Sequence, residues 1–292
     1  MNNLIIDAHA HLWKSQTGRR DNVPVRSLTN GQSDFGGEIR QMMPPYMLTG
    51  ENSPEMLISN MDYAGVSGAV IVGEVMDGNQ DDYFKAAKAK YPDRLKVCAF
   101  FDEGEDWTLD GFDGIKICAC KLKTPGIQKH IDIFEKANEK DKFVCIELDD
   151  GDAQTGELEE IIQQLPDLKI AIGHFGMVTR DKWEEQIKLA RYKNVFVESG
   201  GITWLFNEEF YPYPSAIKAI NTAADFCGFD KLMWGSDYPR TMVEITYKMS
   251  FDFVIKSKEI SDEDKAKFLG ENAKAFYGFD NPPQINPIPN ML

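Results

Sequence analysis

The chain alternates short apolar runs with longer stretches in which apolar residues recur at helical spacing. Eight runs have strand character: LIIDAH (4–9), GAVIVGEV (68–75), LKVCAFF (95–101), GIKICAC (114–120), FVCIEL (143–148), LKIAIGH (168–174), NVFVESG (194–200) and KLMWGSD (231–237). Between them, helices are predicted at 53–65, 81–92, 128–141, 157–166, 180–192 and 215–228. Nearly continuous apolar strands separated by helices point to a parallel sheet covered on its faces. Eight such units within 292 residues predict an α/β fold, a closed (β/α)8 TIM barrel in one domain. A doubly wound open sheet is the alternative. The segment DEGEDWTLDGFD, between the third and fourth strands, is too short and too rich in Gly and Asp to predict a helix.

Two segments break the alternation. Residues 14–52 carry Gly, Pro, Asn, four arginines (Arg19, Arg20, Arg26, Arg40) and the patch MMPPYM, with no clear periodicity. A connection of this length is expected to be an active-site lid or a disordered insertion. The tail at 280–292, DNPPQINPIPNML, cannot continue a helix. It is expected to lie extended over the barrel or against a neighbouring subunit. The expected division is thus a barrel over 1–279, including the insertion, followed by a Pro-rich tail.

Composition narrows the functional classes. A hydrophobic fraction of 42% with 27% charged residues is that of an ordinary globular chain. Lys+Arg 32 against Asp+Glu 47 gives a net charge of −15, which repels polyphosphate and anionic lipid. Neither nucleic acid nor membrane is expected as a partner. No apolar stretch of 18 residues occurs, and the start MNNLIID lacks a basic region leading into an apolar run. The five cysteines, Cys98, Cys118, Cys120, Cys145 and Cys227, are odd in number and lie mostly in apolar runs. They fit buried cysteines in a reduced, cytoplasmic setting better than a disulfide framework.

In a parallel barrel the chemistry sits where strands end. His9 and His11 end strand one, His174 ends strand six, and Asp237 ends strand eight. Glu147 lies near the end of strand five and Lys116 within strand four. Alternate residues of a strand share a face, so the H-x-H spacing aims both imidazoles at one point. Imidazoles and a carboxylate on a rigid floor suit zinc or manganese with one position open to water. Such an ion lowers the pKa of water and polarises a carbonyl, and Asp237 could take the water's proton. The rival reading makes each histidine a satisfied polar residue at the end of a buried strand. His130, on a predicted helix, carries only that reading. Trp13, Trp204 and YPYP (211–214) are either pocket walls or ordinary packing.

Taken together, IIDAHAHLW, LPDLKIAIGHFG, KLMWGSDYPR and the C-terminal ISDEDKAKFLGENAKAFYGF resemble the amidohydrolase superfamily. More narrowly they resemble its amidohydrolase-related (amidohydrolase 2) branch of TIM-barrel hydrolases and decarboxylases. The resemblance implies His9 and His11 as metal ligands, Asp237 as ligand or catalytic base, and His174 as a substrate-polarising or metal-side histidine. It also implies one divalent metal ion and a small cyclic or unsaturated carboxylic acid as substrate. One position departs from the family pattern: Glu147, in VCIELD, stands where a histidine is usual near the end of strand five. Glu147 then ligates the metal or bonds the substrate, or else the site works without metal, as in lactonases of this branch. Without a strand-five histidine, Lys116 does not fit a carbamylated bridge between two metals. Lys116 and Arg240 are instead expected to receive a substrate carboxylate, with Trp13 beside them.

The leading expectation is a metal-dependent hydrolase that opens a lactone or amide with an activated water. Non-oxidative decarboxylation by the same site is the runner-up, and a catalytically dead barrel is the third reading. The tail and the family point weakly to a homodimer.

Overall fold

The computed structural model describes residues 4–286 and 288 of the chain. The eight barrel strands are β1 (Ile6–Ala10), β2 (Gly68–Ile71), β3 (Leu95–Phe101), β4 (Gly114–Cys118), β5 (Phe143–Glu147), β6 (Ile170–Ile172), β7 (Val195–Glu198) and β8 (Leu232–Met233). All neighbours pair in parallel and in chain order. The first and last strands close the ring through Ala8 N to Trp234 O (2.9 Å), Asp237 N to His9 O (2.9 Å) and His11 N to Tyr238 O (2.8 Å). This is the predicted TIM barrel, and the open sheet is excluded.

The outer helices form where the apolar spacing places them. In α1 (Pro54–Ala64), Ser53 caps the N-terminus by accepting from Met56 N at 3.3 Å, and Pro54 follows at the first turn. Leu57, Ile58, Met61 and Ala64 then face the barrel, and Gly65 ends the helix in the left-handed region. The stretch 102–113, between β3 and β4, holds turns and no helix, as its composition predicted. Helix 180–192 is shorter than expected: only Trp183–Ile187 is α-helical, followed by a tighter turn over Lys188–Arg191.

The lower half of the barrel interior is apolar. Ile6, Ala8, Val70, Val72, Cys98, Phe143, Cys145, Ala171 and Met233 pack there, and Phe276 and Tyr277 from the C-terminal helix, with Phe279 just beyond its end, close it from below. The register of β1 against β2 slips between Asp7 and Ala10, where three steps along β1 match two along β2. This bulge lets Ile6 and Ala8 face the apolar floor while His9 and His11, of opposite parity, turn into the mouth above it. Simple alternation did not predict that.

The insertion after β1 corrects the expectation of an irregular segment. Arg19–Arg20, Val23–Ser27, Gln32–Phe35 and Ile39–Gln41 form a four-stranded antiparallel sheet. Its first long hairpin turns at Asn30 and Gly31, both at positive φ (60° and 70°), the geometry that an Asn-Gly pair favours. Val25, Ser33 and Phe35 are its buried positions. With so few apolar residues on such short strands, the alternation stays below what a periodicity search detects. The described part of the tail, at Asp280, Asn281, Pro282, Gln284 and Ile285, lies beside Leu4, Ser67 and Lys274. That is the end of the barrel opposite the strand ends that carry the histidines.

Candidate active site

The strand ends at the mouth hold a dense cluster of ionisable groups. His9 Nδ1 lies 2.8 Å from Glu198 Oε1, and His11 Nδ1 lies 2.9 Å from the Val72 carbonyl. Both partners accept only, so each Nδ1 must carry the proton. Each Nε2 therefore presents a lone pair. Those two Nε2 atoms are 3.1 Å apart, and Asp237 Oδ1 is 3.0 Å from the one on His11 and 3.9 Å from the one on His9. With neutral imidazoles, three acceptor atoms converge with no donor between them. A cation relieves this arrangement, and the Glu198–His9 pair is the kind of outer contact that fixes a ligand's tautomer. Burial pulls the His9 pKa down to about 4 against the charge of Glu198, which keeps Nε2 unprotonated. The residues present fit a divalent ion held by His9, His11 and Asp237.

Asp237 is held from several sides. Trp204 Nε1 donates to Oδ2 at 2.8 Å, and Arg240 Nη1 lies 3.4 Å from Oδ1. Burial pushes its carboxyl up, but the Arg240 guanidinium beside it opposes burial, and the carboxyl lies below the usual range. Asp237 and His174 both have positive φ (58° and 54°), an uncommon conformation for non-glycine residues that occurs at functional sites. Gly235 is required two residues earlier, since a Cβ there would sit 2.7 Å from Glu198 Oε2 and 2.8 Å from His9 Cβ.

A second cluster shares the mouth. Lys116, fully buried, places Nζ 2.5 Å from Glu147 Oε1, and His174 Nε2 is 3.0 Å from that same oxygen. His174 Nδ1 donates to the Gly200 carbonyl at 2.7 Å. Burial pulls His174 down, but the charge and hydrogen bond of Glu147 push its pKa up to about 10, so the ring is an imidazolium at neutral pH. Burial likewise opposes the Lys116 charge, and Glu147 more than offsets it. Ligand atoms of His9, Glu147 and His174 lie within 4.8 Å of one another, as do those of His9, His11 and Asp237. Glu147 thus borders the proposed ion position while engaged by two cations.

The expected substrate-binding residues are placed differently from the expectation. Arg240 is not free, with Nη1 2.7 Å from Glu74 and Nη2 3.2 Å from Asp77. Lys116 is taken by Glu147. Trp13 is buried among Met43, Met47 and Met56, and its Nε1 donates to the Gly50 carbonyl at 3.1 Å. It anchors the insertion and does not face the mouth, because its indole is enclosed by the chain it pins. Trp204, by contrast, touches Asp237. His130 sits outside the cluster, 3.3 Å from the Thr124 carbonyl. Tyr211 bonds Asp252 and lines a separate groove with Phe253 and Lys256.

Sequence reasoning missed Glu198, Glu74 and Asp77. Glu198 carried a signal: it is an acid within an otherwise apolar buried strand. Glu74 and Asp77 follow β2 in a loop, where nothing distinguished them from solvated acids. Asp77 receives Gln16 Nε2 at 2.8 Å, which ties the insertion to the mouth. Glu74, Asp77, Glu147, Glu198 and Asp237 face Lys116, His174 and Arg240, so acidic groups outnumber basic ones at the mouth.

A closed eight-stranded parallel barrel with such a mouth belongs to the class of (β/α)8 barrels whose strand ends carry the chemistry. The family model described as Amidohydrolase matches residues 6–279, and the chain belongs to that family. No curated protein matches the chain by sequence. Solved structures do match in fold. A probable 2-pyrone-4,6-dicarboxylic acid hydrolase from Acinetobacter baumannii, with citric acid bound, is 19% identical over 95% of this chain and 100% of that one, with a TM-score of 0.65. An amidohydrolase from Burkholderia multivorans with bound zinc is 14% identical over 94% and 99%, with a TM-score of 0.66. A 5-carboxyvanillate decarboxylase from Sphingomonas paucimobilis is 14% identical over 76% and 82%, with a TM-score of 0.53. At these identities the likeness is one of fold.

Proposed function

We propose that the chain is a metal-dependent hydrolase that opens a lactone or amide at the barrel mouth. The observation that carries this reading is the convergence of His9 Nε2, His11 Nε2 and Asp237 Oδ1, with both Nδ1 positions committed elsewhere. His9, His11 and Asp237 would hold a divalent ion, zinc or manganese by ligand type, which would lower the pKa of water and polarise a carbonyl. Asp237 accepts the proton of the attacking water, a task that needs a carboxylate within hydrogen-bond reach and ionised at working pH. Trp204 and Arg240 keep Asp237 oriented and charged. His174, next to His9, spends both ring N–H groups on Glu147 and the Gly200 carbonyl, and so fixes Glu147 beside the ion position.

The test uses chelator-treated protein, then the same protein refilled with zinc or manganese, against a panel of lactones and amides followed by acid release. The expected outcome is turnover that depends on added metal and is lost in Asp237→Asn. Turnover unchanged in Asp237→Asn contradicts the reading. The likeness to a decarboxylase motivates one rival, the same ion serving carbon dioxide release from an aromatic or unsaturated acid. Carbon dioxide evolution without net uptake of water decides for that rival.

A further inference from the structure

We propose that Glu147 is a built-in anion that fills the seat between Lys116 and His174, so that the site takes substrates carrying no carboxylate at that position. The proposal deepens the hydrolase reading and rests on it for the reaction, though not for the occupancy of the seat.

The geometry is specific. A single oxygen, Glu147 Oε1, accepts from Lys116 Nζ at 2.5 Å and from His174 Nε2 at 3.0 Å. Lys116 is wholly buried within β4, so its charge has no solvent to stabilise it and requires a partner. Two cations converging on one carboxylate oxygen are what a site built for an anionic ligand offers. Here the chain supplies the anion itself. Arg240, the other cation of the mouth, is half-buried and paired through its two Nη atoms with Glu74, Asp77 and Asp237, while its Nε has no partner among the described residues.

Beside Glu147 and His174 opens a cleft of about 260 Å³. Its lining adds Lys121 but also Asp149 and Asp150, and Asp150 is paired with Arg180 at 3.3 Å. Lys121 is exposed, and an exposed cation binds an anion weakly. An incoming carboxylate would have to displace Glu147 from two charge-assisted bonds and leave it unpaired below the surface. An uncharged ring with hydroxyl or carbonyl groups meets no such penalty. The substrate class is therefore a cyclic ester or amide whose part at this seat is uncharged, and the carboxylate implied by the family resemblance does not fit there.

The test is Glu147→Ala, which empties the seat, with acetate as probe in carboxylate-free buffer. Thermal unfolding should show saturable stabilisation of the variant by acetate and none by acetamide, with an apparent affinity at least about tenfold above that of wild type. If the variant fails to fold alone, recovery of folded protein by acetate but not acetamide supports the proposal equally. Adding Lys116→Met to the variant should abolish the effect. Equal acetate response in wild type and variant, or a response that survives Lys116→Met, overturns the proposal.

Metal content is measured on the same samples. Loss of the ion from Glu147→Ala with no acetate response also overturns it, since Glu147 would then be a ligand and not a seat filler. A wild type that binds no ion contradicts the hydrolase reading alone and leaves the acetate result to decide the seat. Among lactones of one ring type, wild type should prefer those without a carboxylate by at least about tenfold, and the reverse preference overturns the substrate class.

Discussion

The floor and the mouth of the barrel stand on the same eight strands yet obey different rules. On the floor, Phe143 fills the space left by Gly114 and packs on Tyr277 with ring centroids 4.8 Å apart, and each position is interchangeable with any residue of similar shape. One layer higher, Lys116, Glu147, Glu198 and the histidines are buried or half-buried polar groups, some of them charged, whose environment makes sense only as a network. The floor stabilises the fold by excluding water. The mouth spends part of that stability on holding charge out of water, as functional sites do.

The difference can be tested one side at a time. Asp237→Asn should lower turnover by about 10²–10⁴-fold, because it removes the proton acceptor, while leaving the unfolding transition near that of wild type. A parallel collapse of stability would mean that Asp237 belongs with the floor. Phe143→Ala should do the opposite, costing about 3–5 kcal/mol in denaturant unfolding and leaving the metal bound per folded chain unchanged.

Glu198→Gln keeps shape but weakens the hold on His9 Nδ1, and should reduce metal affinity by about 10–100-fold as measured by competition with a chelator. The smallest effect is expected at the insertion. Arg19 and Asp102 pair through two bonds of 2.6 Å but remain partly exposed, so Asp102→Ala should cost at most about 1 kcal/mol. A larger loss would show that the insertion sheet supports the mouth and is more than an attachment to it.

The same contrast explains what the sequence revealed. The floor and the strand order were legible because apolar runs report burial directly, and eight runs in order leave few topologies open. His9, His11, His174 and Asp237 were legible because the ends of predicted strands meet in a barrel. The bulge in β1 was not, since a register slip leaves no trace in a five-residue strand. Neither was the insertion's sheet, because the strands on either side of the turn at Asn30 and Gly31 are too short and too poor in apolar residues to show alternation. Trp13, which follows the histidines in the chain, is from sequence either a pocket wall or ordinary packing. Its indole packs on methionines of the insertion. The partner of Lys116 depended on a residue 31 positions away, and no pattern along one chain encodes such a pairing.

The central claim is that the mouth is a metal site defined by His9, His11 and Asp237. Calorimetric titration of chelator-treated protein with zinc, repeated on His11→Ala, tests it most directly. The account predicts one ion per chain for wild type, with affinity reduced at least about tenfold in the variant. No saturable binding by wild type, or equal binding by both proteins, would contradict it.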